Sequence, residues 1–349
     1  MAEGILQGTR VLEWGDFVSA PWTGRLLGDM GAEVLKIEQP VSGDSARRAG
    51  PFPQDVPHPD KSGLFLYLNC NKRGITLDVS TPTGKEVFLR LVEEVDILVE
   101  NHSPAEVEAL GVTYDELRRV NPQLIMVSIS PFGQTGPYRD YVGSELVLFQ
   151  MGGVGYETPL MSVTDPETQP PLKGPGYQAY MVAGWMAAAT TTIGLYHREV
   201  FGEGQHIDIS VHEAMASMVR PNVARFSYAH EVPKRESTGF LRRMPCKDGY
   251  MTGLGVGQNE EAWMRICDLM DNPEWTKEEI FATQESRTAH VEEASAHIIE
   301  WTSNYTMAEL FEMTQTRGIG AFPLNTVADV FHTDVAVALA GSGNTGVQI

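Results

Sequence analysis

The stretch from Lys173 to Ala189 combines a flexible loop with a segment suited to close packing. Gly174-Pro175-Gly176 forms the loop, and the many small side chains that follow favour a helix packed closely against other backbone. The first turn of such a helix has unpaired N–H groups at the positive end of the helix dipole, so it favours an anion or a developing negative charge. The stretch therefore predicts a place for a nucleophile at the start of a buried helix.

The segment from Asn69 to Gly74 carries the best local anion site in an acidic chain. Lys72 and Arg73 stand beside Asn69 and Asn71, and cationic side chains of these types bind phosphates and carboxylates. The alternative is a solvated turn with two ordinary surface cations. Both interpretations stay open on the residues alone.

A glycine-containing loop offers a second place for a ligand. The segment Ser130–Tyr138 contains Gly133 and Gly136, whose missing side chains permit close approach of the backbone to a ligand. Turn formation is the commoner use of such glycines, so this loop has two interpretations as well.

Other chemistries lack the residue pattern that they need. The nine histidines are dispersed without metal-ligand spacing, and Cys70, Cys246 and Cys267 are too scattered for a zinc site or a disulfide framework. The Gly-x-Ser-x-Gly elbow of hydrolases does not occur, and the first predicted turn lacks Gly-x-Gly-x-x-Gly. We expect no metal site and no dinucleotide site.

The N-terminal elements must position these loops. Thr9–Trp14 is predicted as a buried strand, Trp22–Gly31 as a helix and Glu33–Glu38 as a second strand, which together form a βαβ unit with a right-handed crossover. Ligands on parallel sheets bind beyond the carboxyl ends of the strands. Here those ends are Gly15–Ser19 and Gln39–Asp44.

The same alternation continues along the chain and predicts an α/β fold with a doubly wound parallel sheet. Further strands are predicted at Ile75–Asp78, Asp96–Asn101 and Leu124–Ile129, and Gly202–Ser210 is predicted as a turn that leads into an alternating strand. Helices are predicted at Thr83–Val95, Tyr114–Val120 and Val211–Met218. A Lys-Asp-Gly turn at Lys247 indicates the start of a second, smaller domain. Its predicted helices are Glu260–Asp271, Ala289–Ser303 and Thr306–Gly318.

Composition limits the partners and the compartment. With 46 acidic and 26 basic residues, the 349-residue chain has a formal charge of -20, which argues against nucleic acid or an anionic membrane surface as its partner. The few cysteines favour a reduced, cytoplasmic setting. The N-terminus is too polar for a secretory signal, and the longest apolar run, Met181–Leu195, is too rich in Gly, Thr and Ala for a membrane span.

The order of motifs along nearly the whole chain resembles the class III CoA-transferases, the family of formyl-CoA transferase, carnitine CoA-transferase and α-methylacyl-CoA racemase. The matching motifs are Gly8–Leu12, Leu27–Glu38, Gly43-Asp44, Asn71–Arg73, Leu98–Asn101, Gly133–Pro137, Gly204–Ser210 and Pro245–Tyr250. Each motif alone is weak, and their shared order makes the resemblance specific.

The resemblance implies a Rossmann-like large domain, a smaller α/β domain and two chains interlinked like rings. We accordingly divide the chain into residues 1–220, residues 221–330 and a C-terminal segment 331–349 that is shorter than the family norm. The resemblance also implies that CoA or acyl-CoA binds as a substrate, without a covalent cofactor, at the carboxyl ends of the first strands. The implied CoA-binding residues are Val18, Ser19, Gln39, Asn71, Lys72, Arg73, Asn101, His102, Phe132 and Gly133.

The departures from the family pattern fall at its chemical centre. The family's nucleophilic aspartate follows a Gln-Ala pair, and here Gln178-Ala179 is followed by Tyr180. A phenol with a pKa near 10 is a poor nucleophile at neutral pH. Three further positions where family members place cations hold Ala109, Gln39 and Ser80.

Three functions are compatible with this pattern. The leading hypothesis is a CoA-transferase subunit that lacks the nucleophile and works with a homologous chain carrying the aspartate, as in the two-chain benzylsuccinate enzymes. The second is a self-sufficient homodimeric transferase or racemase that uses another carboxylate, such as Glu145 or Asp165. The third is a non-catalytic scaffold or CoA-binding regulator.

Overall fold

The structure, a computed structural model, describes residues 4–159, 163, 165–235, 243–254 and 259–332. The chain forms two compact units. The first contains the described residues of Met1–Gly155 and Lys173–Glu231, and the second those of Tyr156–Leu172 and Val232–Ile349. The predicted boundary lies at residue 220, whereas the two units divide after Glu231. The second unit also contains the described residues of Tyr156–Leu172, which the prediction places in the large domain. Almost all of the predicted segment 331–349 lies outside the described residues.

The described part of the first unit contains a six-stranded parallel sheet. Its strands are β1 (Arg10–Trp14), β2 (Glu33–Glu38), β3 (Lys72–Thr76), β4 (Ile97–Glu100), β5 (Ile125–Ser130) and β6 (Gln205–Ser210). The strand order is β3-β2-β1-β4-β5-β6, with β1 near the centre of the sheet. Strands β2 and β3 are added on one side of β1, and β4, β5 and β6 are added on its other side. This is the predicted doubly wound α/β sheet, and it is confirmed.

Helices cover both faces of this sheet because its central strands are apolar on both sides. The helices up to residue 231 are α1 (Ser19–Asp29), α2 (Gly63–Leu68), α3 (Pro82–Glu93), α4 (Pro104–Leu110), α5 (Tyr114–Val120), α6 (Glu145–Met151), α7 (Val154–Glu157), α8 (Gln178–Phe201), α9 (Val211–Ala216) and α10 (Arg220–Ala229), of which α7 ends in the second unit. Side-chain caps define the first residues of several helices. At α2 the Ser62 hydroxyl accepts a hydrogen bond from the Phe65 nitrogen, and at α3 the Thr81 hydroxyl accepts one from the Gly84 nitrogen.

Helix α8 contains the small residues that the sequence singles out, and its predicted burial is confirmed for one face only, since Trp185, Tyr196 and Phe201 on the same helix are exposed. Ala179, Ala183, Ala187 and Ala188 belong to the main core. A methyl group on Gly184 would lie 2.9 Å from the Ser19 carbonyl oxygen of α1, so glycine is needed for this close approach. The buried face of α8 is therefore set by its smallest side chains.

The second unit has a small antiparallel sheet with helices packed on it. Its strands are β7 (Met244–Pro245), β8 (Tyr250–Thr252) and β9 (Phe322–Pro323), in that order across the sheet. Its helices are α11 (Glu260–Leu269), α12 (Gln284–Ala289), α13 (Val291–Thr302), α14 (Met307–Thr316) and α15 (Val327–His332). The predicted Lys-Asp-Gly turn joins β7 to β8, where the Cys246 nitrogen donates to the Gly249 carbonyl at 2.8 Å.

The described residues show neither a membrane-spanning helix nor a metal-binding cluster. Among the described residues, no helix combines the length and the apolar character needed to cross a bilayer. The same residues contain no group of three or more His, Cys, Asp or Glu side chains placed to hold a metal ion.

Candidate active site

A cleft of about 840 Å³ lies in the first unit where the loops after β1, β2, β4 and β5 meet. Because parallel strands present their carboxyl ends at one edge of a sheet, these loops converge there. The cleft lies at the carboxyl ends of β1 and β2, where the predicted βαβ unit places a ligand-binding site. Its lining residues are Trp14–Ser19, Ile37–Gln39, Ser42–Asp44, Arg48, Leu77, Asn101–Glu106, Ile129–Pro131, Arg139–Gly143, Tyr180 and Val211.

Five of the implied CoA-binding residues line this cleft: Val18, Ser19, Gln39, Asn101 and His102. The Asn101 amide nitrogen donates to the Asp16 carbonyl at 2.8 Å and to the Ser19 hydroxyl at 2.9 Å, and its oxygen accepts from the Asp16 nitrogen at 2.8 Å. Asn101 thus ties the end of β4 to the loop after β1. Its amide shapes the cleft wall from inside the protein.

The other five implied residues lie outside the lining. Phe132 packs on Tyr138 and His212, and Gly133 adopts a positive φ of 86° close to the Asp208 carboxylate. The remaining three, Asn71, Lys72 and Arg73, lie at the start of β3 and not at its carboxyl end.

Lys72 is part of a buried charge cluster and is not open to a ligand. Its side chain is 2% exposed, and its ammonium lies 2.7 Å from the Glu13 carboxylate and donates to the Pro21 carbonyl and the Asn69 side chain. Burial lowers the pKa of Lys72 to about 8, although the Glu13 charge opposes that shift. The anion site predicted at Asn69–Gly74 therefore lacks its lysine, whose charge is used inside the fold.

Lys36 completes this cluster beneath the cleft. Its ammonium lies 2.8 Å from both Glu13 and Asp44, and all three side chains are at most 3% exposed. Burial alone disfavours the ammonium, but the two carboxylates outweigh it and hold the pKa of Lys36 above its ordinary value. Asp44 also accepts from the Phe17 nitrogen at 3.1 Å, which links the cluster to the cleft wall.

A further buried acid, Glu100, is hydrogen-bonded to His102. The Glu100 carboxylate is fully buried and accepts from the His102 backbone nitrogen at 2.8 Å. Burial raises the pKa of Glu100 to about 7. The His102 ring stacks on Trp14 with centroids 4.0 Å apart and reaches Glu106 at 3.3 Å. Sequence reasoning missed Glu100, although a carboxylate at the end of the apolar run Ile97–Val99 is a visible signal.

Tyr180 lines the cleft from the first turn of α8. The backbone nitrogens of Ala179 and Tyr180 donate to the Glu145 carboxylate at 3.0 and 3.2 Å, and Lys173 approaches the same carboxylate at 3.4 Å. The predicted anion at this helix start is thus supplied by Glu145 of the same chain. Burial and the Glu145 charge raise the pKa of the Tyr180 phenol.

The two alternative nucleophiles have other engagements. Both Glu145 oxygens bind helix amides, and Glu145 is absent from the cleft lining. Asp165 belongs to the second unit, where its carboxylate accepts from the Thr168 hydroxyl at 2.6 Å and from the Glu167 nitrogen at 3.1 Å.

Two arginines that sequence reasoning missed line the cleft. Arg48 donates to the Ser42 carbonyl at 2.6 Å, and Arg139 forms ion pairs with Glu108 and Asp140. Among the described residues that line the cleft, Arg48 and Arg139 are the two with a lysine or arginine side chain. Each arginine lies in the loop that follows a predicted strand. That position at the carboxyl end of the sheet is the sequence signal that could have identified them. The lining also contains the carboxylates of Asp16, Glu38, Asp44, Glu106 and Asp140, so the cleft carries side chains of both charges.

Comparison with known proteins gives a consistent family. The sequence model of CoA-transferase family III matches residues 6–342. The chain is 31% identical over 335 residues to the succinyl-CoA–L-malate CoA-transferase beta subunit of Chloroflexus aurantiacus, covering 93% of this chain and 80% of that one. It is 30% identical over 326 residues to the BbsE subunit of the succinyl-CoA:(R)-benzylsuccinate CoA-transferase of Thauera aromatica, covering 89% and 76%. A CAIB/BAIF family protein from Brucella suis superposes with a TM-score of 0.82 at 30% identity, covering 96% and 88%.

Proposed function

Because this chain belongs to CoA-transferase family III, we propose that it moves CoA between carboxylic acids as the subunit that lacks the nucleophilic carboxylate of a two-chain enzyme. The observation that carries the proposal is Tyr180, which lies in the cleft at the helix start where the resemblance implies an aspartate. A phenol is neutral at physiological pH, and burial raises the pKa of Tyr180 further above its ordinary value. A neutral phenol does not replace a carboxylate in forming an acyl anhydride.

The chemistry of the transfer explains why a carboxylate is needed. A carboxylate attacks the thioester carbonyl, releases CoA as a thiolate and leaves a mixed anhydride on the enzyme. The thiolate then attacks the enzyme's acyl carbon, which frees the donor acid and leaves an enzyme-bound CoA thioester. The acceptor acid repeats these two steps in reverse and departs as the new thioester. We assign the carboxylate of these steps to a homologous partner chain.

Relatives of this chain support the substrate class and the assembly. The malate enzyme of Chloroflexus and the benzylsuccinate enzyme of Thauera are both named for succinyl-CoA, and the matching chains in both are named as subunits. Malate and benzylsuccinate each carry two carboxylates. We extend these properties to this chain as a succinyl-CoA donor, a dicarboxylic acceptor and a heteromeric assembly.

The geometry gives less support to a self-sufficient enzyme. Glu145 uses both oxygens as the cap of α8, and a carboxylate held by two amides is a weakened nucleophile. The interlinked dimer remains a prediction. The CoA-binding roles also remain predictions for the implied residues Val18, Ser19, Gln39, Asn71, Arg73, Asn101, His102, Phe132 and Gly133.

The decisive experiment compares the chain alone with the chain purified together with its partner from the native host. We expect CoA transfer from succinyl-CoA to a dicarboxylic acid only in the complex, and hydroxylamine trapping only on the partner's aspartate. Robust turnover by this chain alone would overturn the subunit assignment. Calorimetry with CoA separates a transferase subunit from a scaffold, because a scaffold without a CoA site gives no binding heat.

A further inference from the structure

A row of polar side chains crosses a face of the sheet that is otherwise apolar. Glu100 ends β4 and pairs with Ser128 of β5, and the Ser128 hydroxyl lies 2.8 Å from Nε2 of His206 on the edge strand β6. Glu100 and Ser128 are fully buried, and the residues two positions before them, Leu98 and Met126, belong to an apolar core cluster. Because side chains two positions apart in a strand point to the same face, these polar groups lie among apolar ones. We call Glu100, Ser128 and His206 the polar row.

The carboxyl group of Glu100 has few partners for a negative charge. Its Oε2 accepts a hydrogen bond from the His102 backbone nitrogen at 2.8 Å, and its Oε1 has no hydrogen-bond partner among the described residues. A buried carboxylate with so few donors is disfavoured relative to the neutral acid. The raised pKa of about 7 agrees with this geometry, since burial is its main cause and the Ser128 hydroxyl opposes it. Glu100 therefore changes its charge close to neutral pH.

Two titratable side chains of the cleft lining face Glu100. The His102 charge favours ionisation of Glu100 and the Glu106 charge disfavours it, and these two side chains lie 3.3 Å apart. On the neighbouring strands the residues paired with Glu100 are Trp14 and Ser128, which carry no charge. The charge of Glu100 thus acts on the part of the cleft wall that His102 and Glu106 form.

The other end of the polar row faces two further acids. The His206 ring stacks on Tyr114 with centroids 5.2 Å apart. Burial lowers the pKa of His206, and the carboxylates of Asp208 and Asp115 oppose that shift. Ser128 lies between the two titrating ends of the row, so its substitution changes the surroundings of the buried acid without removing a charge.

We propose that Glu100 is a proton switch that sets the charge of the cleft wall. With its proton, Glu100 adds no charge, and when it releases that proton to solvent it adds one negative charge beside His102 and Glu106. Like charges repel, so this step weakens the binding of an anionic ligand. The inference rests on the proposed function, which makes CoA and carboxylic acids the ligands of the cleft. Binding of such anions is expected to weaken as the pH rises through neutrality.

The test measures CoA binding by calorimetry at pH 5 and pH 8, with the wild-type complex and with complexes that carry variants of this chain. The phosphate of CoA also titrates in this range, so each variant is compared with wild type at the same pH. Glu100→Gln is expected to bind CoA like wild type at pH 5 and about fivefold more tightly at pH 8, where it lacks the negative charge. Ser128→Ala removes a group that lowers the pKa of Glu100, so its CoA binding is expected to weaken at a higher pH than that of wild type.

Two controls separate charge from shape. Glu93→Gln removes an exposed carboxylate of α3 outside the cleft lining and is expected to change CoA binding at neither pH. Pantetheine carries no charge, so its affinity for the Glu100→Gln complex is expected to match that for wild type at both pH values. Equal CoA affinities of Glu100→Gln and wild type at pH 8 would overturn the inference, and so would equal tightening of CoA and pantetheine. Failure of the wild-type complex to bind CoA at both pH values would overturn the proposed function instead.

Discussion

The carboxylate of Glu145 accepts a hydrogen bond from the backbone nitrogen of Tyr180 at 3.2 Å, so the start of α8 already carries a negative charge. This contact joins residues 35 positions apart in the chain. Burial, and after it the charge of Glu145, raises the pKa of the Tyr180 phenol above its ordinary value, so a phenolate is disfavoured further.

Glu145→Gln is expected to destabilise the first unit by about 1–2 kcal/mol. The substitution removes the charge that the helix dipole and Lys173 both favour, while one side-chain oxygen stays available. Chemical denaturation followed by circular dichroism measures the loss. Glu93→Gln, at an exposed site in α3, is the control and is expected to change stability by less than about 0.5 kcal/mol. Equal stability of both variants would contradict the capping role.

Tyr180→Phe is expected to leave CoA transfer by the two-chain complex within about threefold of the wild type. The phenol is neutral, so its hydroxyl has no nucleophilic part in the proposed reaction. Steady-state assays of the reconstituted complex give the comparison. A loss of about 100-fold or more would show that the hydroxyl takes part in the chemistry.

Glu13→Gln is expected to destabilise the protein by about 3–5 kcal/mol, because it leaves two buried ammonium groups without their shared carboxylate. Lys72→Met is expected to cost less, since Glu13 keeps Lys36 as its partner. Denaturant unfolding of both variants tests this order. Arg73→Met, at an exposed neighbouring position, serves as control. A larger loss for Lys72→Met than for Glu13→Gln would refute this account of the cluster.

Stability is expected to depend on pH through Glu100. Its pKa is about 7 in the folded protein against an ordinary value of 4.5, so the folded state binds its proton more tightly. The stabilising contribution is complete below pH 4.5 and is lost as the pH rises through about 7. Glu100→Gln cannot ionise, so we expect its stability relative to wild type to improve between pH 5 and pH 8, by on the order of 2 kcal/mol.

Glu106→Gln provides the control for this pH series. The hydrogen bond from His102 lowers the pKa of Glu106 below its ordinary 4.5, so its contribution is present above pH 4.5 and is lost only below that value. The difference between Glu106→Gln and wild type is therefore expected to stay constant between pH 5 and pH 8. The free energy of unfolding of wild type and both variants at the two pH values decides the question. If the free energies of unfolding of Glu100→Gln and wild type differ by the same amount at both pH values, Glu100 is not the titrating group.

Arg287→Lys is expected to destabilise the second unit by about 2 kcal/mol. The Arg287 guanidinium is fully buried, lies 3.2 and 3.0 Å from the two Glu260 oxygens and donates to the Phe281 carbonyl. A lysine cannot reproduce this fork of hydrogen bonds. Arg265→Lys, whose side chain is 46% exposed, is the control. Thermal unfolding that affects both variants equally would contradict the structural role of Arg287.

The sequence predicted elements where local signals agree with burial. Strand Glu33–Glu38 and helix Tyr114–Val120 have the predicted bounds. The helix begins at Tyr114 because the backbone nitrogen and hydroxyl of the N-cap residue Thr113 donate to the Glu116 carboxylate. Helix α6 was missed, because its start depends on Ser144 after an irregular glycine-containing loop. Strand β3 begins at Lys72, earlier than predicted, since pairing with β2 extends it through polar residues.

For the candidate site, the sequence by itself determined which side chains are available: a tyrosine at the start of a small-residue helix, and polar residues after strand ends. Only the tertiary structure decided how they are used. It directs the Lys72 ammonium to Glu13 inside the fold and the Glu145 carboxylate to the amides of α8, and it brings Arg139 to the cleft. The physical reason is that the strength of an interaction between two charges depends on their distance and burial. Both quantities are set by contacts between residues far apart in the chain.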